Sequence, residues 1–164
     1  MGQIEVSAEA ETSASPARVF ALLKDGSTWT QWSMFKSYEL ERPGQAEPLG
    51  LGSVRVFTTS VSKTREEVVE LIPSRRLSYT LLSGLPFVGY RADVDLEPRP
   101  GGGTFIRWCS RFRVKRFGAG WFWTWVMKRT LRSVTAQLAV GAANPVISPN
   151  AGVDPQTNTA SQAG

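Results

Sequence analysis

Proton transfer near neutral pH usually falls to histidine, and this sequence of 164 residues contains none. It has one cysteine, Cys109. Ser-His-Asp and Cys-His nucleophiles are therefore excluded, and zinc and most transition-metal sites are not expected. No metal and no cofactor is expected, so any chemistry must come from carboxylates, Tyr, Lys, Arg or hydroxyls. Glu67 is the candidate catalytic group. It lies in the segment TREEVVELI, residues 64–72, and shares parity with Val69 and Leu71. If those two point inward, Glu67 enters the interior, where burial raises a carboxyl pKa and makes it a usable base. Glu66 then faces solvent. The opposite parity turns Val68 and Ile72 inward and leaves Glu67 outside; the pattern alone leaves both open. Tyr79, Tyr90 and Ser110 are the candidate polar anchors, because a buried hydroxyl needs a partner from protein, water or ligand.

The element that positions most of these groups is a hairpin over residues 86–116. Tyr90, Ala92, Val94 and Leu96 alternate with Arg91, Asp93 and Asp95 in its first strand. After the turn PRPGGG, Ile106, Trp108, Ser110, Phe112 and Val114 alternate with Arg107, Cys109, Arg111 and Arg113. Period-2 alternation marks strands with one buried and one wet face. A register that sets Val94 opposite Ile106 also sets Ala92 opposite Trp108, Tyr90 opposite Ser110 and Asp93 opposite Arg107. It yields an aromatic inner wall and a charge-paired outer wall.

The remaining chain supplies the frame. Residues 3–13 alternate as a first strand. Ser15-Pro16 reads as an N-cap and first helical position, followed by the apolar face of Val19, Phe20, Leu22 and Leu23. Gly26 ends that helix, and a second short one carries Trp29 and Trp32. Strands are expected at 34–42, 53–62, 64–72 and 75–82, with no helices between them, which means an antiparallel meander. The period then changes to that of a helix from Gly118 to Gly141, with Trp123, Met127, Leu131, Val134 and Leu138 as its stripe. Residues 144–164 are rich in Pro, Asn, Gly, Ser, Thr and Gln. They read as a disordered tail after a single domain over 1–143.

Three stretches carry a family likeness: SPARVFALLKDGSTWTQW, then GSVRV with EEVVELIPSRRLSYTL, then LEPRPGGGTFIRW before a Trp-rich helix. Together they resemble the polyketide cyclase/dehydrase and lipid-transport family of the START/Bet v 1-like (SRPBCC) superfamily. The resemblance implies an α+β helix-grip fold: a curved antiparallel seven-stranded sheet wrapped around the long C-terminal helix, with two short helices after strand one. It also implies an internal cavity for a hydrophobic ligand such as a lipid or polyketide. Trp29, Trp32, Tyr79, Tyr90, Trp108, Ser110, Phe112, Trp123 and Met127 are the expected ligand-binding residues. Six tryptophans and a few hydroxyls suit the lining of an apolar pocket. The alternatives are a cyclase or dehydratase acting on a polyketide-like substrate, and a non-catalytic co-chaperone-like interaction module. An inward carboxylate in a polar-anchored cavity favours the enzyme, a cavity without one the carrier, and a collapsed cavity the module.

The formal charge is +5, concentrated after residue 106. Trp121 and Trp125 beside Lys128 and Arg132 suit transient contact with a membrane surface. Nucleic acid is an unfavoured partner, because a stacking platform needs aromatic and basic groups on one face and strand seven puts them on opposite faces. The lone cysteine, and the lack of an apolar leader at the start of the sequence, point to a reducing cytoplasm. On this reading, deleting residues 144–164 leaves the thermal midpoint nearly unchanged, and differential scanning calorimetry checks it.

Overall fold

The alternating segments become seven strands, and the long apolar stripe becomes the helix they enclose. The structure is a computed structural model and describes residues 2–149. In chain order it has β1 (Ile4–Thr12), α1 (Pro16–Lys24), a 3₁₀ turn (Gly26–Thr28) and α2 (Trp29–Trp32). There follow β2 (Ser37–Arg42), β3 (Val54–Thr58), β4 (Lys63–Ile72), β5 (Arg76–Ser83), β6 (Phe87–Pro98), β7 (Thr104–Val114) and α3 (Gly120–Ala143). The strands form one sheet in the order β1-β7-β6-β5-β4-β3-β2, every neighbouring pair antiparallel. The sheet curls around α3 in a helix-grip arrangement.

Local chemistry sets the element ends. The Ser15 side chain accepts the Arg18 N–H at 3.3 Å, with Pro16 at the first helical position. Val19, Leu22 and Leu23 are buried beneath it. Asp25 then caps the 3₁₀ turn by accepting from the Ser27 backbone N–H at 3.0 Å and the Ser27 hydroxyl at 2.6 Å. Along α3, Met127, Leu131, Val134 and Leu138 are buried, and Trp123 packs partly buried against the same core. α3 can lie directly on α2 because residue 141 is glycine. A Cβ there would stand 2.5 Å from the Trp32 Cβ.

The hairpin register differs from the expected one by two residues. Val94 pairs with Trp108, Ala92 with Ser110, Asp93 with Cys109 and Asp95 with Arg107. The turn is the cause. Gly101, Gly102 and Gly103 all take positive φ, which carries the turn to a closure between Arg99 N–H and Gly103 C=O at 3.1 Å. A two-residue shift leaves side-chain parity unchanged, so the aromatic and charged faces stay as expected. The outer charges spread beyond the hairpin. Asp93 accepts from Ser78, Arg91 and Arg111 at 2.6, 2.9 and 3.1 Å. Asp95 takes Arg76 at 2.6 Å, and Arg111 also reaches Glu5 on β1 at 2.7 Å.

The tail boundary also moves. Residues 144–149 are not free chain: Ile147 is buried in the core. The Arg18 guanidinium donates to the carbonyls of Ala142, Asn144 and Ile147 at 2.8, 2.6 and 2.7 Å. One isoleucine and one arginine offset the ordering of this short segment, which its polar composition concealed. The rest of the expected tail, 150–164, lies outside the described residues. Arg18→Ala should therefore lower stability by about 2 kcal/mol, as expected for hydrogen bonds from a charged donor. Truncation at residue 143 should lower the thermal midpoint. A truncated chain that melts with the full one in denaturant and heat would remove the clamp from the account.

Candidate functional site

The site begins with a charge in an apolar strand. β3 reads VRVFT, and its first four residues are buried. Arg55 shares parity with Phe57, so its side chain is carried onto the core face, where it is 1% exposed. The guanidinium carbon lies 5.0 Å from the Trp29 ring, 5.2 Å from Phe57 and 5.6 Å from Tyr79, within reach of cation–π attraction. One Nη donates to the Leu23 carbonyl at 2.9 Å, near the C-terminal end of α1, where a cation is favoured. The other donates to Glu66 Oε2 at 3.3 Å. Glu66 sits directly across the β3–β4 pair from Arg55 and is buried.

Glu67 is not on this face. It lies opposite Val54, is 31% exposed at its side chain, and pairs with Arg42 at 3.1 Å. β4 explains why neither parity fitted the whole segment. Glu66 and Val68 are buried, but a bulge falls between Val68 and Glu70. The phase reverses there, so Leu71 packs on the core and Ile72 is 42% exposed. The inward carboxylate is Glu66.

Between the sheet and the free side of α3 lies a cavity of ≈ 450 Å³. Of the expected ligand-binding residues, Trp29, Tyr79, Tyr90, Trp108, Trp123 and Met127 line it. Trp32, Ser110 and Phe112 do not. Trp32 donates from Nε1 to Thr28 Oγ1 at 3.1 Å and faces a second hollow with Gln31, Val140 and Ile147. Ser110 sits behind Tyr90, whose hydroxyl is 2.9 Å from the serine oxygen. Phe112 is covered by Phe87, 4.3 Å between ring centroids, and by Tyr90. Met34, Phe35, Leu81, Phe122, Val126 and Glu66 are among the further residues on the wall, none of them an expected ligand contact. The one available signal was an arginine at the parity of Phe57 facing a glutamate across the next turn. Trp121, Trp125, Lys128 and Arg132 are exposed and outside the cavity wall.

Glu66 is the one charged side chain on the cavity wall among the described residues. Burial is the largest influence on it and pushes its carboxyl up to about 7, against the opposing pull of Arg55. Burial also pushes Tyr90 up to about 12 and Tyr79 well above its ordinary value. At neutral pH both tyrosines are therefore hydrogen-bond donors, and Glu66 alone can exchange a proton. Trp108 Nε1 and Arg55 Nε are buried without a hydrogen-bond partner. Among the described residues no cluster of His, Cys, Asp or Glu could hold a metal ion. No helix there is long and apolar enough to cross a membrane.

A family model described as polyketide cyclase / dehydrase and lipid transport matches residues 3–140. No curated protein sequence matches the chain. A START superfamily protein from Mycobacterium smegmatis superposes with a TM-score of 0.69 at 18% identity, covering 87% of this chain and 95% of that one. Ginseng major latex-like protein 151 from Panax ginseng gives 0.69 at 13%, covering 87% and 99%. The protein XoxI from Bacillus cereus gives 0.66 at 15%, covering 85% and 94%. These similarities show a shared fold.

The raised carboxyl has a stability consequence. Glu66 is about 7 in the folded chain against 4.5 as its ordinary value. The folded state thus holds the proton more tightly, and this contribution is fully present below about pH 4.5 and lost as pH rises through about 7. Glu66→Gln resembles the protonated carboxyl and does not titrate, so the two chains should match near pH 5 and the variant should become the more stable as pH rises to 8. Urea melts across that window check it; a difference that stays flat with pH contradicts the assignment.

Proposed function

Because the chain belongs to the polyketide cyclase / dehydrase and lipid transport family, we propose that it binds, and carries, a hydrophobic small molecule such as a lipid or polyketide in the cavity beside α3. The observation that supports this most is the wall itself: ≈ 450 Å³ bounded chiefly by aromatic and aliphatic side chains, with the hydroxyl residues Thr59, Ser62, Thr64 and Thr130 and a single carboxyl. That volume falls in the range of roughly 300–1,000 Å³ typical of small-molecule sites. Covering apolar wall and ligand surface together supplies the driving force, roughly 25 cal/mol for each Å² removed from water. Glu66, Tyr79 and Tyr90 give one end of the space hydrogen-bonding capacity. The ligand that fits has an apolar body and one polar end group. Trp29, Trp108, Trp123 and Met127 contact its body, while Trp32, Ser110 and Phe112 brace the wall from behind.

The inward carboxylate Glu66 is the feature that favours the enzyme among the alternatives, and a second reading, a polyketide cyclase, rests on it. Glu66 is a buried carboxyl titrating at about 7, and that suits a general base in an aldol cyclisation of a poly-ketone chain. Glu66 would take the proton from the carbon between two carbonyls. A tyrosine hydroxyl would donate to the enolate oxygen, and the enolate carbon would bond to a second carbonyl. The proton held by Glu66 would return to the new alkoxide to give a β-hydroxyketone; water would then be lost when Glu66 takes the remaining α-proton and returns it to the departing hydroxide, leaving a carbon–carbon double bond.

Three measurements separate these readings. Native mass spectrometry of the protein from its own source should reveal a co-purified hydrophobic compound. Met127→Trp, which fills part of the cavity, should weaken uptake of a fluorescent fatty-acid probe by roughly tenfold, or ~1.4 kcal/mol. No ligand, and equal probe binding by both chains, would sink the binding reading. For the cyclase, turnover of a poly-β-ketone substrate should rise with pH through about 7 and fall by ~10²-fold in Glu66→Gln with KM little changed. Probe uptake without any such turnover leaves the carrier alone standing.

A further inference from the structure

The cavity has a mouth, and the side chains around it are unlike the rest of the surface. Val61 on the β3–β4 loop and Phe117 before α3 are each 94% exposed. Trp121 is 77% and Trp125 57% exposed, and Phe122 and Met34 are also exposed while lining the cavity. Met34, Val61 and Phe122 line the cavity, and Trp121 joins this set through Phe122 at the start of α3. The Trp121 and Phe122 rings lie edge to face at 6.1 Å, and Phe122 contacts Trp123 at 5.4 Å. Lys115 is fixed beside the same opening, its N–H donating to the carbonyl of the cavity residue Pro86 at 3.1 Å.

The charge around this patch has one sign. Segments 33–37, 59–63, 84–86 and 115–132 each contribute residues to the cavity wall and contain no Asp or Glu. They present Lys36, Lys63, Lys115, Arg116, Lys128, Arg129 and Arg132, all exposed. Lys63 lies near enough to Glu41 to lower its pKa; among the described residues none of the other six forms a salt bridge, whereas Arg107 and Arg111 on the far face of β7 are held by Glu9 and Glu5. Exposed Trp and Phe with a largely unpaired basic surround match an interfacial chemistry: rings at headgroup depth and cations against anionic phosphates.

We propose that this rim docks on an anionic phospholipid bilayer, with Phe117, Trp121 and Trp125 inserting at the interface and the basic residues held against the headgroups. The cavity mouth then faces the membrane, so an apolar cargo passes between bilayer and cavity without crossing water. The purpose of the docking rests on the hydrophobic-ligand reading, but its existence is tested without cargo. Full-length protein is floated with vesicles of phosphatidylcholine alone and of phosphatidylcholine with phosphatidylglycerol. Binding is expected to the anionic vesicles, weakened at least roughly tenfold without the anionic lipid or in high salt. Trp121→Ser with Trp125→Ser should lower anionic-vesicle binding by roughly tenfold. Lys128→Glu with Arg132→Glu should abolish the preference for anionic lipid. All four positions are exposed and outside the cavity wall, so circular dichroism and fatty-acid probe uptake in vesicle-free solution should match wild type. Failure of wild type to bind anionic vesicles overturns the docking. So does binding that both double variants leave unchanged, or a rim that captures nucleic acid or a protein but not vesicles. Loss of probe uptake with vesicle binding intact would instead count against the cargo reading.

Discussion

A guanidinium removed from water needs compensation for its charge, and the buried Arg55 imposes that requirement on this domain. The Leu23 carbonyl, the Glu66 carboxylate and the rings of Trp29, Phe57 and Tyr79 meet it at the two Nη groups and the cation's faces, while Nε has no partner. Those five groups come from α1, β4, α2, β3 and β5. A buried ion pair of this kind adds little net stability over an apolar replacement. It does restrict which arrangements of the five elements are tolerable, since any that exposes one partner without the other strands a charge. Its location also matters, because it sets the single carboxyl of the cavity wall beside an aromatic floor.

The cavity follows from how the rest is packed. α3 packs chiefly against β1 and β7, and Gly141 lets its C-terminal half close onto Trp32. The other side of the helix faces β4 and β5 across large rings. Trp29 and Trp108 stand edge to face at 5.7 Å, and Tyr79 and Trp108 at 6.4 Å. Rigid rings meeting at steep angles brace the wall and limit collapse of the space between sheet and helix.

Much of this was legible before any coordinates. Alternation revealed the strands, the Ser15-Pro16 pair the start of α1, and the four-three-four spacing the buried stripe of α3. The inner and outer faces of β6 and β7 came out correctly even though their register did not, because three consecutive positive-φ glycines displaced the turn by an even number of positions. The choice between Glu66 and Glu67 was not legible. It depends on a bulge at Val69, and no local pattern announces where a strand takes an extra residue. Arg55 was hidden for a different reason: an arginine in a strand normally faces water, and only the pairing of β3 with β4 reveals that its partner is buried with it. Ile147 was hidden because one apolar residue in a polar segment gives no period to read.

The clamp from Arg18 to the carbonyls at 142, 144 and 147, together with the pairing of β1 with β7, fixes the order in which the domain can be completed. Ile4 pairs with Phe112, and Arg18 reaches 129 positions along the chain to Ile147. During synthesis the β2–β7 meander can zip locally, strand after strand. β1, although made first, has no strand partner until β7 has left the ribosome, and α1 lacks its clamp until residue 147 has followed. Closing such distant contacts is slow, so the newborn amino-terminal strand is the segment that spends longest without its partner.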